Sequence, residues 1–353
     1  MNEGTLRLAA YGGFGRVGGV LTVNAGATLE TTGDGTGLGY WDQLTTLNLN
    51  GATATSTGAM HIWNLTGGIN MTGATLQSNS GVSTASGPQL EWNRTGVTTL
   101  ASATTSTIAG RINLRGDYGY TTLGLTVADG AAATDLAITA AITEAAGGMG
   151  ITKNGPGTLV LSGNNSYSGP TTINNGLVIS PNGTGIGDLS TVVLADSASV
   201  ALQITGSEQV GLLSGGGASG GNISVASGAT LSTGENGGSA AYDGVISGSN
   251  VSLRKRGGGT QTLTGDNTFS GGWRSSAAPS PCLHHHPRRR PAARHGLRPH
   301  PLLRRGRAVH HQGQVVRHQR RPGDPGRQRQ HPHRRRHADP HRRHHREAAP
   351  PAA

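Results

Sequence analysis

The chain of 353 residues contains one cysteine, Cys282, so no disulfide can form within it, and residues 1–272 carry no thiol. Such cysteine-free stretches suit exported proteins. Aromatic residues make up 3% of the chain, too few to fill a core with Phe and Trp. No apolar run approaches the length of a membrane helix. The opening MNEGTLRLAAYGGFG lacks the basic region and apolar stretch of a leader. No signal peptide is therefore expected, and the Gly-Thr-Leu-Arg-Leu near the start already reads as the closing strand of a repeat. Helical spacing is missing as well: the nearest candidate, 131–146, carries Thr134, Ile138, Thr139, Ile142 and Thr143, which favour extended backbone. Charge is scarce before residue 273, with nine Lys/Arg against fifteen Asp/Glu. Residues 273–353 hold twenty Lys/Arg, three acids and fourteen of the fifteen histidines. The formal net charge of +11 averages two unlike parts and is no ground for assigning the body to nucleic acid.

What the body has instead is glycine, threonine, serine, asparagine and short bursts of period-two alternation: Leu21-Thr-Val, Leu47-Asn-Leu, Leu159-Val-Leu, Leu177-Val-Ile and Val192-Val-Leu. Between them lie Asn-Ala-Gly-Ala and Ser-Gly-Asn-Asn clusters suited to turns. Val23-Asn-Ala-Gly-Ala-Thr-Leu matches Val225-Ala-Ser-Gly-Ala-Thr-Leu, with an echo at Met71-Thr-Gly-Ala-Thr-Leu. Each reads as strand, one-residue corner, strand. This predicts an all-β chain, a right-handed parallel β-helix (β-solenoid) over residues 1–272. At roughly 20–25 residues per coil it would have on the order of twelve coils. Inward Val and Leu fill a narrow core, and stacked Asn and Thr form ladders along the axis.

The longest self-similarity pairs 151–180 with a degenerate copy at 253–272. The first copy carries Lys153, Gly155, Gly157, Thr158, Leu159, Leu161, Gly163, Asn165, Tyr167, Gly169, Thr171, Thr172, Ile173, Gly176 and Leu177. The second carries Lys255, Gly257, Gly259, Thr260, Leu263, Gly265, Asn267, Phe269, Ser270 and Gly271, with Phe269 where the first has Tyr167. This pattern resembles the autotransporter-associated β-strand repeat, also called the passenger-associated transport repeat. The resemblance implies a structural role: a stalk in a secreted or cell-surface, adhesin-like bacterial passenger, without catalysis. It implies a parent protein, found outside the cell or on the outer-membrane surface, that uses a translocator barrel. No run of alternating strands in this chain reads as that barrel. The organisation expected is degenerate coils at 1–150, coils with both repeat copies at 151–272, and a separate segment at 273–353.

That last segment, rich in Arg, His and Pro, is expected to be disordered, since it has little to bury. It reads as out-of-frame translation: advanced by one base, RQRQHPHRRRH at 327–337 can encode GNGNTLTVGG, in the style of the body. Electrostatic binding to nucleic acid is the rival reading, but no aromatic residue follows Trp273 to stack on bases, so no specific nucleic-acid partner is expected. His284, His285 and His286 beside Cys282, with His344 and His345, match no metal-site spacing.

Catalytic, cofactor and metal sites are expected to be absent. His61, the one histidine of the body, shares a strand face with Trp63 and lacks a nucleophile or orienting acid nearby in sequence. The acids Asp34, Asp42, Glu91, Asp117, Asp129, Asp135 and Glu144 stand singly. Clustering of distant acids by stacked coils would favour the alternative class, a carbohydrate-active β-helix such as a polysaccharide lyase or hydrolase. Asp34 reads as a turn rather than a calcium loop, and Arg115-Gly-Asp117 as a turn rather than a displayed recognition tripeptide. The glycine triplets at Gly215 and Gly257 lack the context of phosphate loops. A carbohydrate or other surface ligand is compatible with all of this.

Overall fold

The computed structural model describes residues 1–9, 17–32, 36–38, 44–78 and 89–275. Asp34, Asp42 and the segment from 276 onward, with its expected disorder and its His/Cys cluster, lie outside the described residues. Among the described residues are thirty-one strands, and a 3-10 turn at Asp117–Gly119 is the one helical element. Strands pair in parallel with those one coil before and one coil after, forming a parallel β-solenoid.

Successive strands take the coil around three faces. One circuit runs Leu44–Asn50, Thr53–Ser56 and Met60–Trp63, and Ile69–Thr72 then lies against the first of these. The first face stacks eleven strands, from Gly4–Leu8 to Ile246–Ser247. The second stacks eleven more, from Gly19–Asn24 to Gln261–Leu263. The third is split into a five-stranded sheet, Thr36–Leu38 to Ala141–Glu144, and a four-stranded sheet, Glu208–Val210 to Trp273–Ser275. The split falls at 162–170 and 181–190, where Gly163, Gly169, Pro170, Pro181, Gly183, Gly185 and Gly187 disfavour a regular ladder.

Alternation sends every second side chain inward, and register stacks them. One column on the second face reads Leu21, Leu47, Ile69, Val97, Leu125, Lys153, Ile173, Leu194, Gly215, Tyr242 and Leu263. Each fully buried aliphatic in such a column contributes about 1.5–3 kcal/mol. The outward positions form the expected ladders. Asn70 donates to Asn48 at 2.8 Å, Asn48 to Thr22 at 3.1 Å, and Asn174 to Asn154 at 2.9 Å.

The corners are longer than the sequence suggests. Ala25 and Gly26 separate Gly19–Asn24 from Ala27–Thr31, with Gly26 left-handed at φ 87°. Two residues are needed because the chain must change direction between faces and then resume extended backbone. The related sequence after Val225 spends four residues before Thr230–Thr233. The strand Trp273–Ser275, exposed throughout, pairs with Ser252–Lys255 just past the boundary expected at residue 272.

Candidate functional site

The only charged member of the aliphatic column is Lys153, on the strand Gly150–Asn154 and 1% exposed. Its ammonium turns into the adjoining corner and donates to the carbonyls of Asn154 (3.2 Å), Gly155 (2.7 Å) and Asn175 (2.9 Å). Three donors meet three acceptors, the third from the next coil. Burial lowers the Lys153 pKa to about 8, and Asp135 acts against that shift. Asp135 is itself buried and accepts the N–H groups of Gly130 and Thr158, both at 2.8 Å. Lys255, on Ser252–Lys255, turns its ammonium into the same kind of corner and donates to three carbonyls of that corner, those of Arg256, Gly257 (3.2 Å) and Gly258 (2.8 Å). The carbonyls converge because the corner backbone is left-handed at Gly155 (φ 78°) and Gly257 (φ 60°), which glycine adopts without strain.

After the lysine corner each copy runs through one strand and then a glycine-rich side. A Cβ on Gly163 would lie 1.9 Å from the carbonyl oxygen of Ala140, and one on Gly265 2.1 Å from that of Gly244. Gly157, Gly259, Gly169 and Gly271 are crowded by the preceding coil in the same way. The asparagine then stands in for the missing ladder: Asn165 Oδ1 accepts from the Ile142 N–H and Asn267 Oδ1 from the Ile246 N–H, each at 2.8 Å.

Tyr167 is fully buried, and its hydroxyl lies 2.8 Å from that of Thr171, which lies 2.8 Å from that of Ser190. Burial pushes its phenol pKa upward. Phe269 is partly buried against the core, and the residue four positions on is Trp273, so hydroxyl and partner are absent together.

The remaining motif residues are strand positions. Leu159, Leu161 and Ile173 are fully buried, Leu263 is nearly so, and Thr158, Thr172 and Thr260 lie half-buried. Leu177 faces outward: on Gly176–Ser180 it is Val178 that enters the core, with Leu177 and Ile179 on the outer side. Gly176 holds the inward position beside Lys153, where a Cβ would come within 2.7 Å of Nζ.

The copies occupy different faces. In the first, the lysine strand is on the second face, Thr158–Leu161 is on the first, and the Asn165–Tyr167 side is on the third. In the second, the lysine strand is on the third face and Gln261–Leu263 on the second, and the Asn267 side pairs against Ile246 on the first.

Stacking also gathers groups that lie far apart in sequence. His61 and Trp63 stack at 5.3 Å on the third face, and the Arg115 guanidinium lies 5.6 Å from the Trp63 ring centre. Arg115 pairs with Glu91 (3.2 Å) and Asp117 (3.0 Å), so the Arg115-Gly-Asp117 tripeptide is tied to itself at the 3-10 turn. Glu144 accepts from the Met149 and Ser168 N–H groups.

A second acidic group, not singled out from sequence, lies beside the gap in the third face. Glu208 points inward and is 3% exposed. Burial raises its pKa to about 7, while Ser180 donates to it. Asp188 and Glu235 line a groove of about 490 Å³ with Asn164, Ser166 and Gln209. Burial, then the Glu235 charge, raises the pKa of Asp188. Glu235 pairs with Arg256 at 2.5 Å. The inward phase of Glu208 in the strand Glu208–Val210 was the one sequence signal for this group. Among the described residues no cluster of three or more His, Cys, Asp or Glu could hold a metal, and no helix is long and apolar enough to cross a membrane.

The passenger-associated-transport-repeat family model matches residues 151–179 and 253–274. The chain is also similar to the adhesin BmaC autotransporter of Brucella suis biovar 1 (strain 1330), 37% identical over 163 residues. That stretch is 44% of this chain and 5% of the adhesin, so the chain spans a small part of that relative's length. No solved structure matches. The two matched stretches are those built around the buried lysines. The chain thus carries two stretches that match the passenger-associated-transport-repeat on a parallel β-solenoid, and it is similar over part of its length to an autotransporter adhesin.

Proposed function

We propose that the solenoid is a stalk segment of a cell-surface, adhesin-like passenger, and that its two repeats are coil locks rather than binding or catalytic sites. The observation that carries this reading is the fate of the motif's polar groups. The ammonium of Lys153 and the amide of Asn165 satisfy backbone groups of their own and neighbouring coils. The phenol of Tyr167 is held by Thr171. Groups so engaged hold a narrow, polar coil together and leave little chemistry for a ligand. The reading includes right-handed crossovers, as parallel strand connections require. It also includes export of the parent polypeptide through an outer-membrane barrel, a frame slip as the origin of the segment 273–353, and folded coils helping the chain emerge.

The test is surface display. The chain is inserted between an epitope and an autotransporter barrel, and epitope exposure on intact cells is compared for wild type and the Lys153→Met, Lys255→Met double variant. The account expects the double variant to expose less intact epitope and to be cut by added protease within the coils. Equal display and equal protease resistance would contradict a locking role.

A further inference from the structure

Four residues other than glycine have left-handed backbones among the described residues: Asn64 (φ 57°), Arg94 (φ 49°), Tyr118 (φ 58°) and Asn250 (φ 54°). Asparagine tolerates this conformation, whereas arginine and tyrosine adopt it rarely and at a cost. Both of the costly residues line one cavity of about 450 Å³ at the corner between the third and second faces. Arg94 is the first residue after the strand Leu90–Asn93, the place Asn64 holds after Met60–Trp63 one coil earlier. A corner that Asn can turn has thus been given to a long cation. Tyr118 is 80% exposed, the largest value among the exposed large hydrophobic side chains of the described residues. Strain retained at residues that share a cavity points to a use for their side chains.

The floor of the cavity is bare. Gly96 and Gly124 lie side by side in successive coils, and both line it. Gly124 sits within the strand Thr122–Val127, where glycine weakens a sheet and commonly marks the close approach of something else. Nothing lies within 4 Å of a Cβ built there, and its φ is outside the left-handed range, so a side chain would fit. The other lining groups are Thr95, Gly119, Tyr120 and Thr122. Arg94 makes no ion pair among the described residues, and no carboxylate lines the cavity.

We propose that this corner binds an acidic saccharide. The exposed Tyr118 ring offers a flat apolar face for a pyranose, the bare backbone floor admits it, and Arg94 pairs with its carboxylate or sulfate. The open, shallow form and single cation fit a charged sugar better than an apolar ligand, which would need deeper enclosure. This site is separate from the repeat locks and does not depend on them.

The experiment is titration of the full chain with a galacturonic acid trimer, with cellotriose as the neutral comparison. Because residues 273–353 hold twenty Lys/Arg and attract any polyanion, the reading is the difference between wild type and variants that share this segment. Gly124→Val should weaken trimer binding by at least about tenfold without lowering the unfolding midpoint, since it fills the cavity and favours strand. Arg94→Asn should weaken binding by about tenfold while raising the unfolding midpoint, because Asn relieves the left-handed strain. Cellotriose should bind more weakly than the trimer. Equal trimer affinity in wild type and both variants, no trimer binding up to about 10 mM, or equal affinity for cellotriose would overturn the proposal.

Discussion

The two lysine corners are alike in chemistry and unlike in place. Lys153 interrupts the aliphatic column of the second face, and Lys255 lies on the third. Both are buried, and both aim the ammonium at carbonyls of the corner that follows. Their common part is the left-handed glycine corner; Lys153 also reaches Asn175 on the next coil, and the sides that follow differ, since Tyr167 has a hydroxyl partner and Phe269 has neither hydroxyl nor partner. A motif about one coil long therefore specifies how the chain turns and locks to the coil beneath. It does not specify which face it occupies, because three sides of similar length are interchangeable.

The largest effect expected is from a charge placed in the shared core. Leu161→Asp would leave a carboxylate unpaired in a fully buried position and should cost about 4 kcal/mol or more. Local unfolding around 136–180, seen as lost protease resistance, would report it. A variant as stable as wild type would mean that the inward face is misassigned.

Next, Lys153→Met and Lys255→Met should each cost about 2–4 kcal/mol, because buried carbonyls lose a charged donor. Similar costs on different faces would support a self-contained corner. A large cost at one and none at the other, by denaturant titration, would break the equivalence.

The gap in the third face should make stability depend on pH. Glu208 has its pKa raised to about 7 from an ordinary 4.5, so the unfolded chain releases its proton first. Stability should be greatest below 4.5, fall as pH rises to about 7, and then level. Lys153, lowered to about 8 from 10.5, has the opposite sense: stability should recover between these values as the folded chain loses the proton first. Glu208→Gln should flatten the first slope and leave the second. Persistence of the first slope in that variant would exclude Glu208 as its source.

The smallest effect sharpens the comparison of the copies. Tyr167→Phe should cost about 1 kcal/mol by removing the bond to Thr171, whereas Phe269→Tyr should gain nothing measurable. A gain at 269 would reveal a partner for the new hydroxyl.

Much of this architecture was legible in the residues. Period-two bursts such as Leu47-Asn-Leu and Leu159-Val-Leu gave the strands, and the recurrence of Lys-x-Gly-x-Gly gave the repeat. Asn48 and Asn70 form the axial ladder expected of stacked polar positions. The failures share a cause: local pattern does not reveal what lies one coil away. The burst Leu177-Val-Ile does not itself say which residue faces inward; Lys153 from the preceding coil leaves room only for Gly176 there, and Val178 rather than Leu177 enters the core. Asp188 and Glu235 belong to no sequence motif, and only stacking places both along one groove. Arg94 and Tyr118 carried no pattern at all, since backbone strain is invisible until the corner is built.

The central claim is that each repeat locks its coil through the buried lysine, and amide hydrogen exchange on the full chain tests it most directly. The N–H groups of Gly157 and Asn174, bonded to the carbonyls of Val127 and Lys153, flank the Lys153 corner. In Lys153→Met these amides should lose protection by about a hundredfold, equivalent to about 2.7 kcal/mol. The N–H groups of Leu47 and Thr75, several coils away, should keep theirs. Unchanged exchange at Gly157 and Asn174 would contradict the account.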